Sequence, residues 1–204
     1  MPVKDYSIDD KLLNIAKQEF LLHGYEKTSV NKICEKAKIT TGALFRRYKS
    51  KKELFLALIM PTVSFMHGLF TEHHKVLMKE QSLNCILMGS SDGKRHFVEY
   101  IYNNFDEFKL IFVCSSREVF SCLLDTFVEI ETKNMIFMVK KLNPDYFEND
   151  KTLTDMAHII STAYFNALFE IVHHEMTKDE AFIYVKHIEE FYKNGWLSIF
   201  TNKN

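Results

Sequence analysis

The chain has 204 residues, of which 47% are hydrophobic and 26% charged, with six glycines and three prolines. This balance excludes a disordered or collagen-like chain, and so few turn-forming residues favour long helices over many short strands. The net charge of −1 conceals a basic segment, residues 27–52, that carries +8 and leaves −9 for the remainder. Such a segment indicates either a polyanionic partner or a solvated charged face, and charge alone does not decide between them.

The N-terminal residues and the cysteines indicate the compartment. Residues 1–6 lack the basic and apolar layout of a secretory signal, and the longest apolar runs are too short to cross a bilayer. The cysteines Cys34, Cys85, Cys114 and Cys122 form no CxxC pair and are typical of reduced, mostly buried thiols. We therefore predict a cytoplasmic protein with no membrane attachment.

The first predicted helix begins near residue 7. Leu12, Ala16 and Phe20 recur every four residues, which is the apolar stripe of an amphipathic helix. Gly24 can end this helix because glycine adopts the left-handed conformation at little cost.

Two shorter helices follow, with a tight turn between them. Thr28 or Ser29 can cap the second helix, and Thr40 or Thr41 can cap a third that runs to about Tyr48. Two short helices joined by a turn, packed under a longer one, are typical of a helix-turn-helix DNA-binding module.

The remaining sequence predicts further helices and no strands. A capping box at residues 50–53 opens a long fourth helix, which Pro61 is expected to kink or interrupt. A loop is predicted at residues 89–93, and a second capping box at residues 177–180 opens the last helix. We predict an all-α fold of about nine helices. Residues 1–50 would form a helix-turn-helix domain, and residues 51–204 a helical domain for effector binding and dimerisation.

The stretch Ile15–Phe55 resembles the signature of the tetracycline-repressor (TetR) family of transcriptional regulators. The matching residues are Ala16, Phe20, Gly24, Tyr25, Thr28, Ser29, Val30, Ile33, Ala37, Thr40, Gly42, Leu44, Phe45, Tyr48, Lys49, Ser50, Lys51, Glu53, Leu54 and Phe55. The resemblance implies a homodimer that binds double-stranded DNA through the helix-turn-helix. It also implies an effector pocket in the variable C-terminal helices and a dimer interface on the last two.

The resemblance implies a set of DNA-binding residues in and around the third helix. They are Thr28, Thr40, Thr41, Gly42, Ala43, Phe45, Arg46, Arg47, Tyr48 and Lys51. Phosphate contacts would set the register, and Arg46 or Arg47 is expected to recognise guanine. Lys38 stands where the family usually has glycine in the turn, which predicts either a strained left-handed lysine or a differently shaped turn.

The middle of the chain is rich in phenylalanine and methionine, which predicts a cavity for a small hydrophobic effector as well as ordinary core. The candidate pocket residues are Phe65, His96, Tyr100, Asn104, Phe112, Arg117, Phe120, Phe127 and Asn166. Arg117 requires an anionic partner amid apolar residues, and Glu118 is one candidate.

The last two helices carry apolar faces wider than one intramolecular contact requires, which favours an interface with a second copy of the chain over simple core packing. The candidate interface residues are Ile160, Tyr164, Leu168, Ile188, Tyr192 and Trp196.

No pattern for catalysis, a metal or a cofactor is evident. Adjacent histidines on a helix rarely bind one metal ion together, and residues 89–94 are one residue short of a phosphate-binding loop. We predict a regulator, with no enzymatic activity, metal or cofactor. A repressor released by its effector is the expected form. The alternative is a small-molecule-binding or partner-regulated helical protein with weak, non-specific DNA affinity.

Overall fold

The computed structural model describes the backbone of residues 6–79 and 91–201, and in these ranges it contains nine α-helices and no strand. The helices are α1 (Tyr6–Lys27), α2 (Val30–Ala37), α3 (Thr41–Phe45), α4 (Lys51–Lys79), α5 (Ser91–Asn103), α6 (Phe105–Lys109), α7 (Arg117–Leu142), α8 (Asp150–His173) and α9 (Lys178–Thr201). A π-helical turn, Leu110–Cys114, follows α6 directly. The all-α prediction is confirmed.

Several predicted boundaries change. In α1 the left-handed Gly24 (φ 72°, ψ 167°) breaks the regular helix within the Tyr6–Lys27 span. The third helix ends at Phe45 rather than near Tyr48. Residues 91–93 belong to α5 and not to a loop, whereas Cys85 and the rest of the predicted loop lie outside the described residues.

Helix α4 continues past Pro61 without interruption. The proposed capping box opens it, because the amide of Glu53 donates to Ser50 Oγ at 3.1 Å while the Glu53 carboxylate accepts from the amide of Lys49 at 2.6 Å. Its segment Lys51–Glu72 is long and apolar enough to span a membrane, although the core helix of a globular protein has the same properties.

The first compact unit comprises residues 1–64 and 104–120. Its core contains Phe20 and Phe55, whose rings meet edge to face with centroids 5.0 Å apart, and Tyr25 meets Phe55 at 5.2 Å. The π-helical turn packs against α1, where Cys114 Sγ lies 3.9 Å from the carbonyl oxygen of Leu21. These contacts hold α1 on one side against α4 and on another against residues 104–120.

The second compact unit comprises residues 65–103 and 121–204. Phe70 contacts both Phe127 and Phe165, with ring centroids 5.5 Å and 5.2 Å apart. A second cluster joins Met138 and Trp196 with neighbouring apolar residues of α7 and α8. The contacts thus assign residues 51–64 and 104–120 to the first unit. The division at residue 50 into a helix-turn-helix domain and an effector-binding and dimerisation domain remains a prediction.

Candidate nucleic-acid interface

The turn between α2 and α3 contains a left-handed lysine. Lys38 adopts φ 57° and ψ 41°, and its amide donates to Glu35 O at 3.1 Å. The amide of Ile39 donates to Cys34 O at 3.0 Å, which completes the hydrogen-bond pattern of a glycine-terminated helix. Of the two possibilities for this turn, the structure has the strained lysine, at a cost of about 1–2 kcal/mol.

Helix α3 presents a mostly exposed face. Thr40 caps it, because its hydroxyl accepts from the amide of Ala43 at 3.1 Å. Leu44 is fully buried and anchors the helix to the unit. Thr41, Gly42, Phe45 and Arg46 are exposed. Short side chains at the start of such a helix allow close approach to a groove of DNA, and the exposed arginine can reach beyond them.

The hydroxyl of Thr28 lies inside the unit. Thr28 is buried, and its hydroxyl donates to the carbonyl oxygens of Gly24 at 2.6 Å and Glu19 at 3.1 Å. This side chain therefore connects the end of α1 to the start of α2.

Arg47 and Lys51, both predicted to contact DNA, contact protein atoms. Arg47 Nε donates to the carboxylate of Asp9, and its Nη1 donates to Ala43 O at 3.3 Å. Lys51 Nζ donates to the carbonyl oxygens of Tyr25, Glu26 and Thr28 at 2.8, 3.2 and 3.3 Å.

Tyr48 is half-buried near Asp9 and Arg47. Burial raises the pKa of its phenol, and nearby Asp9 raises it further. The hydroxyl therefore stays protonated at neutral pH and can act as a hydrogen-bond donor.

An ion pair between the exposed Lys36 and the buried Glu19 joins α2 to α1. Glu19 is almost fully buried, and Lys36 Nζ donates to its Oε1. The other oxygen, Oε2, lies 3.9 Å from His23 Nε2 and has no hydrogen-bond partner in the described part of the chain. Glu19 and Asp9 could not be predicted as site residues from the sequence, because pairing between helices depends on how the helices pack.

The comparisons with known proteins support this geometry. Residues 12–58 match the model of the tetR family of bacterial regulatory proteins. The helix-turn-helix region of the chain is thus similar to that of the TetR family. A curated relative, the HTH-type transcriptional regulator QacR of Staphylococcus aureus, is 32% identical over 53 residues. That alignment covers 26% of this chain and only 28% of QacR.

Solved structures of TetR-family members extend the likeness in fold to almost the whole chain. A protein from Syntrophomonas wolfei assigned to the family has a TM-score of 0.65 at 18% identity, over 98% of this chain and 100% of its own. A TetR-family transcriptional regulator from Bordetella parapertussis has a TM-score of 0.61 at 16% identity, over the same shares of the two chains. At such identities the likeness establishes the TetR fold and not a shared ligand.

The candidate effector-pocket residues divide between the two units. Asn104, Phe112, Arg117 and Phe120 lie in the first unit, and the other five lie in the second. Phe112 is buried and meets Phe120 edge to face, with centroids 6.0 Å apart. Glu118, suggested as a partner of Arg117, accepts from Lys52 Nζ at 2.8 Å. The proposal of a single pocket lined by all nine residues remains a prediction.

Within the second unit, the candidates occupy different environments. Phe65 stacks on Tyr100, with ring centroids 3.9 Å apart, and Phe65 is half-exposed. His96 is exposed one helical turn before Tyr100. Phe127 is core, and Asn166 is exposed and donates to Thr162 O of its own helix at 2.9 Å. Of the five, the Phe65–Tyr100 pair with His96 is the group that could meet a ligand at the surface.

The candidate dimer residues also divide, into core and surface. Leu168 and Trp196 are buried within the chain. Ile160, Tyr192 and Trp196 line a groove of about 340 Å³ between α8 and α9. Tyr164 meets Tyr192 edge to face at 5.2 Å, and burial strongly raises the pKa of its phenol. Ile188 lines a different groove on the same unit.

The most exposed apolar residues of these two helices were not among the predicted ones. Ile159 on α8 is 62% exposed and Phe191 on α9 is 72% exposed, and both line the groove of Ile160 and Tyr192. A wide apolar stripe on a helix does not tell which part of it meets the chain's own core. From the sequence, the width of the apolar stripe can indicate that an interface exists, but it cannot tell which residues form it.

Proposed function

We propose that this protein is a cytoplasmic TetR-family transcriptional regulator that binds a pseudo-palindromic operator as a homodimer and is released by a small hydrophobic effector. Repression is the expected sign of its regulation. The observation that carries the proposal is α3, a short capped helix that is anchored by Leu44 and exposes Thr41, Gly42, Phe45 and Arg46.

Charge supports DNA as the partner of this face. Residues 27–52 carry +8 in a protein whose net charge is −1. Positive charge concentrated around a helix-turn-helix attracts phosphates and speeds association, while a few side chains on the exposed helix recognise bases. The left-handed turn at Lys38 costs free energy but preserves the helix-turn-helix connection.

The groove between α8 and α9 supports a homodimer. Ile159 and Phe191 are large apolar side chains at its edge, and both are more than half-exposed in the single chain. Contiguous exposed apolar surface of this kind marks an interaction site, and a twofold axis would let each copy cover the same surface of the other. A dimer would also present two copies of α3 to two half-sites.

Chain connectivity supports regulation by an effector bound in the second unit. Helix α4 belongs to the first unit up to residue 64 and to the second beyond it. Residues 104–120 belong to the first unit, although the chain before and after them belongs to the second. Lys17 Nζ pairs with Glu107 at 2.7 Å, and Lys52 Nζ with Glu118 at 2.8 Å, and these ion pairs hold the segment to α1 and α4.

An effector would act by binding two arrangements of the dimer unequally, since equal affinity shifts no equilibrium. The half-exposed Phe65–Tyr100 stack is the surface where we expect a flat apolar molecule to bind. Phe65 is the first residue of α4 that belongs to the second unit. A change in its packing would therefore be transmitted along that helix.

The test is selection of purified protein against random-sequence duplex DNA at near-physiological salt, followed by sequencing. Enrichment of an inverted repeat is the expected result. A folded protein that enriches no motif would contradict the proposal and favour the alternative, a helical binding protein with non-specific DNA affinity.

A further inference from the structure

The nine basic residues of 27–52 divide into two groups by what their side chains contact. Four contact protein atoms in the first unit: Lys36, Arg47, Lys51 and Lys52. Five are exposed, with no side-chain hydrogen bond or ion pair to the described residues: Lys27, Lys32, Lys38, Arg46 and Lys49. The charge of the segment therefore overstates the number of cations available to DNA.

Arg47 connects three parts of the helix-turn-helix. It lies just beyond α3 and is 27% exposed. Its guanidinium pairs with the Asp9 carboxylate on α1 and also donates to Ala43 O within α3. The pair links α3 to α1, and the carboxylate offsets the positive charge that would otherwise attract a phosphate.

Arg46 directly precedes Arg47, but its side chain faces solvent and not α1. It is exposed and its backbone is helical (φ −72°, ψ −24°). Successive side chains on helical backbone point about 100° apart. When Arg47 faces Asp9, Arg46 therefore projects from another side of the helix.

All three N–H groups of Lys51 are directed at protein atoms. Its ammonium has three N–H groups and donates to three carbonyl oxygens, those of Tyr25, Glu26 and Thr28. It also lies 4.6 Å from the centroid of the Tyr25 ring. A cation at the C-terminal carbonyls of α1 is stabilised by the helix dipole and ties the end of α1 to the start of α4.

We propose that Arg47 and Lys51 are positioning residues that set the orientation of α3 and the α1–α4 junction, and that Arg46 is the arginine of the pair that contacts DNA. This inference rests on the proposed function. It reassigns two residues that the family resemblance places on DNA, and it makes Asp9, an acidic residue, a contributor to specific DNA binding.

The first experiment measures how DNA affinity depends on salt for the wild type and for Arg46→Gln, Arg47→Gln and Lys51→Gln, on a random-sequence duplex. Losing a phosphate contact lowers the slope of log affinity against log salt by about 1. We expect Arg46→Gln to lower the slope and the other two variants to keep the wild-type slope. A slope lowered by about 1 in Arg47→Gln or Lys51→Gln would overturn the assignment of that residue.

The second experiment uses the duplex enriched by selection and adds Asp9→Asn and the Asp9→Asn/Arg47→Gln double variant. If Arg47 acts through Asp9, each single variant weakens binding to this duplex roughly tenfold and the double variant is no weaker than either. If Arg47 contacts DNA instead, Asp9→Asn frees the arginine and leaves binding unchanged or tighter. Whether Asp9→Asn weakens or strengthens DNA binding therefore decides whether Arg47 positions α3 or contacts DNA.

The melting temperature of each variant separates positioning from simple stability. All titrations are made at a temperature where the variant is folded, with binding to a scrambled duplex measured in parallel. Positioning lowers affinity for the enriched duplex and leaves the scrambled one unchanged. A variant that melts earlier but binds both duplexes as the wild type does would contradict the proposal.

The outcomes also separate the inference from the function on which it rests. A wild type that binds no DNA would end both. A wild type that binds but enriches no motif would contradict the operator proposal, while the salt slopes on random duplex would still decide the roles of Arg46, Arg47 and Lys51.

Discussion

The helix-turn-helix and the C-terminal helices differ in how far local sequence determines the role of a side chain. In the first, Thr40 caps α3 and Leu44 anchors it, as the sequence indicates. In α8 and α9, Leu168 and Phe191 belong to similar apolar stripes, yet one is buried and the other 72% exposed. Short-range contacts follow from spacing along the chain, whereas burial on a long helix depends on which neighbour covers it.

The largest effect is expected in the core beneath the DNA-binding face. Phe55→Ala removes the ring that meets Phe20 and Tyr25 and should destabilise the first unit by roughly 3–5 kcal/mol. Hydrogen exchange of the α1 amides would measure this loss, because the single tryptophan, Trp196, reports on the second unit. Phe45→Ala is the control, since its ring is exposed and its loss should change stability by less than about 0.5 kcal/mol. Equal losses would contradict the assignment of Phe45 to the surface.

The next effect concerns the groove of the second unit. Phe191→Glu places a charge where we propose a second copy packs, and should weaken self-association by about 100-fold, or about 3 kcal/mol. Sedimentation across a concentration range measures the change. Leu22→Glu on α1 is a matched control, because Leu22 is 70% exposed but lies outside the groove. The proposed interface is wrong if both variants dissociate alike or neither does.

The caps of the two short helices should differ in their contribution. Thr40→Ala removes a hydroxyl that accepts from an α3 amide and should cost about 1 kcal/mol. Ser29 occupies the equivalent position on α2 but makes no side-chain cap bond, so Ser29→Ala should cost less. Hydrogen exchange of the α2 and α3 amides compares the two, and a larger loss at Ser29 would refute the difference.

The smallest effect is expected in the turn. Lys38→Gly relieves the left-handed strain but increases the entropy of the unfolded chain, for a net gain of about 0.5–1 kcal/mol. Lys32→Gly is the control with the opposite sign, because Lys32 lies inside α2, where glycine costs about 1 kcal/mol. Denaturant unfolding followed by circular dichroism would measure both. A loss of stability in Lys38→Gly would show that the left-handed lysine is not strained.

Most of the fold and part of the site could be predicted from the sequence. Periodicity and capping residues predicted nine helices, and the S-x-x-E pattern correctly placed the start of α4. The pairs Arg47–Asp9 and Lys36–Glu19 could not be predicted, because each joins two helices whose packing is not encoded in spacing. For the same reason the sequence could not show which of Arg46 and Arg47 is available to contact DNA. Of the two, it is Arg47 that pairs with Asp9 on α1.

The central claim is that two copies of α3 recognise two half-sites of one operator. The most direct measurement compares binding of the wild type to the enriched duplex with binding to the same duplex after one half-site is scrambled, with stoichiometry determined by native mass spectrometry. The account predicts two chains on the intact duplex and an affinity at least about 100-fold lower after scrambling. Equal affinity for both duplexes, or a single chain bound to the intact one, would contradict it.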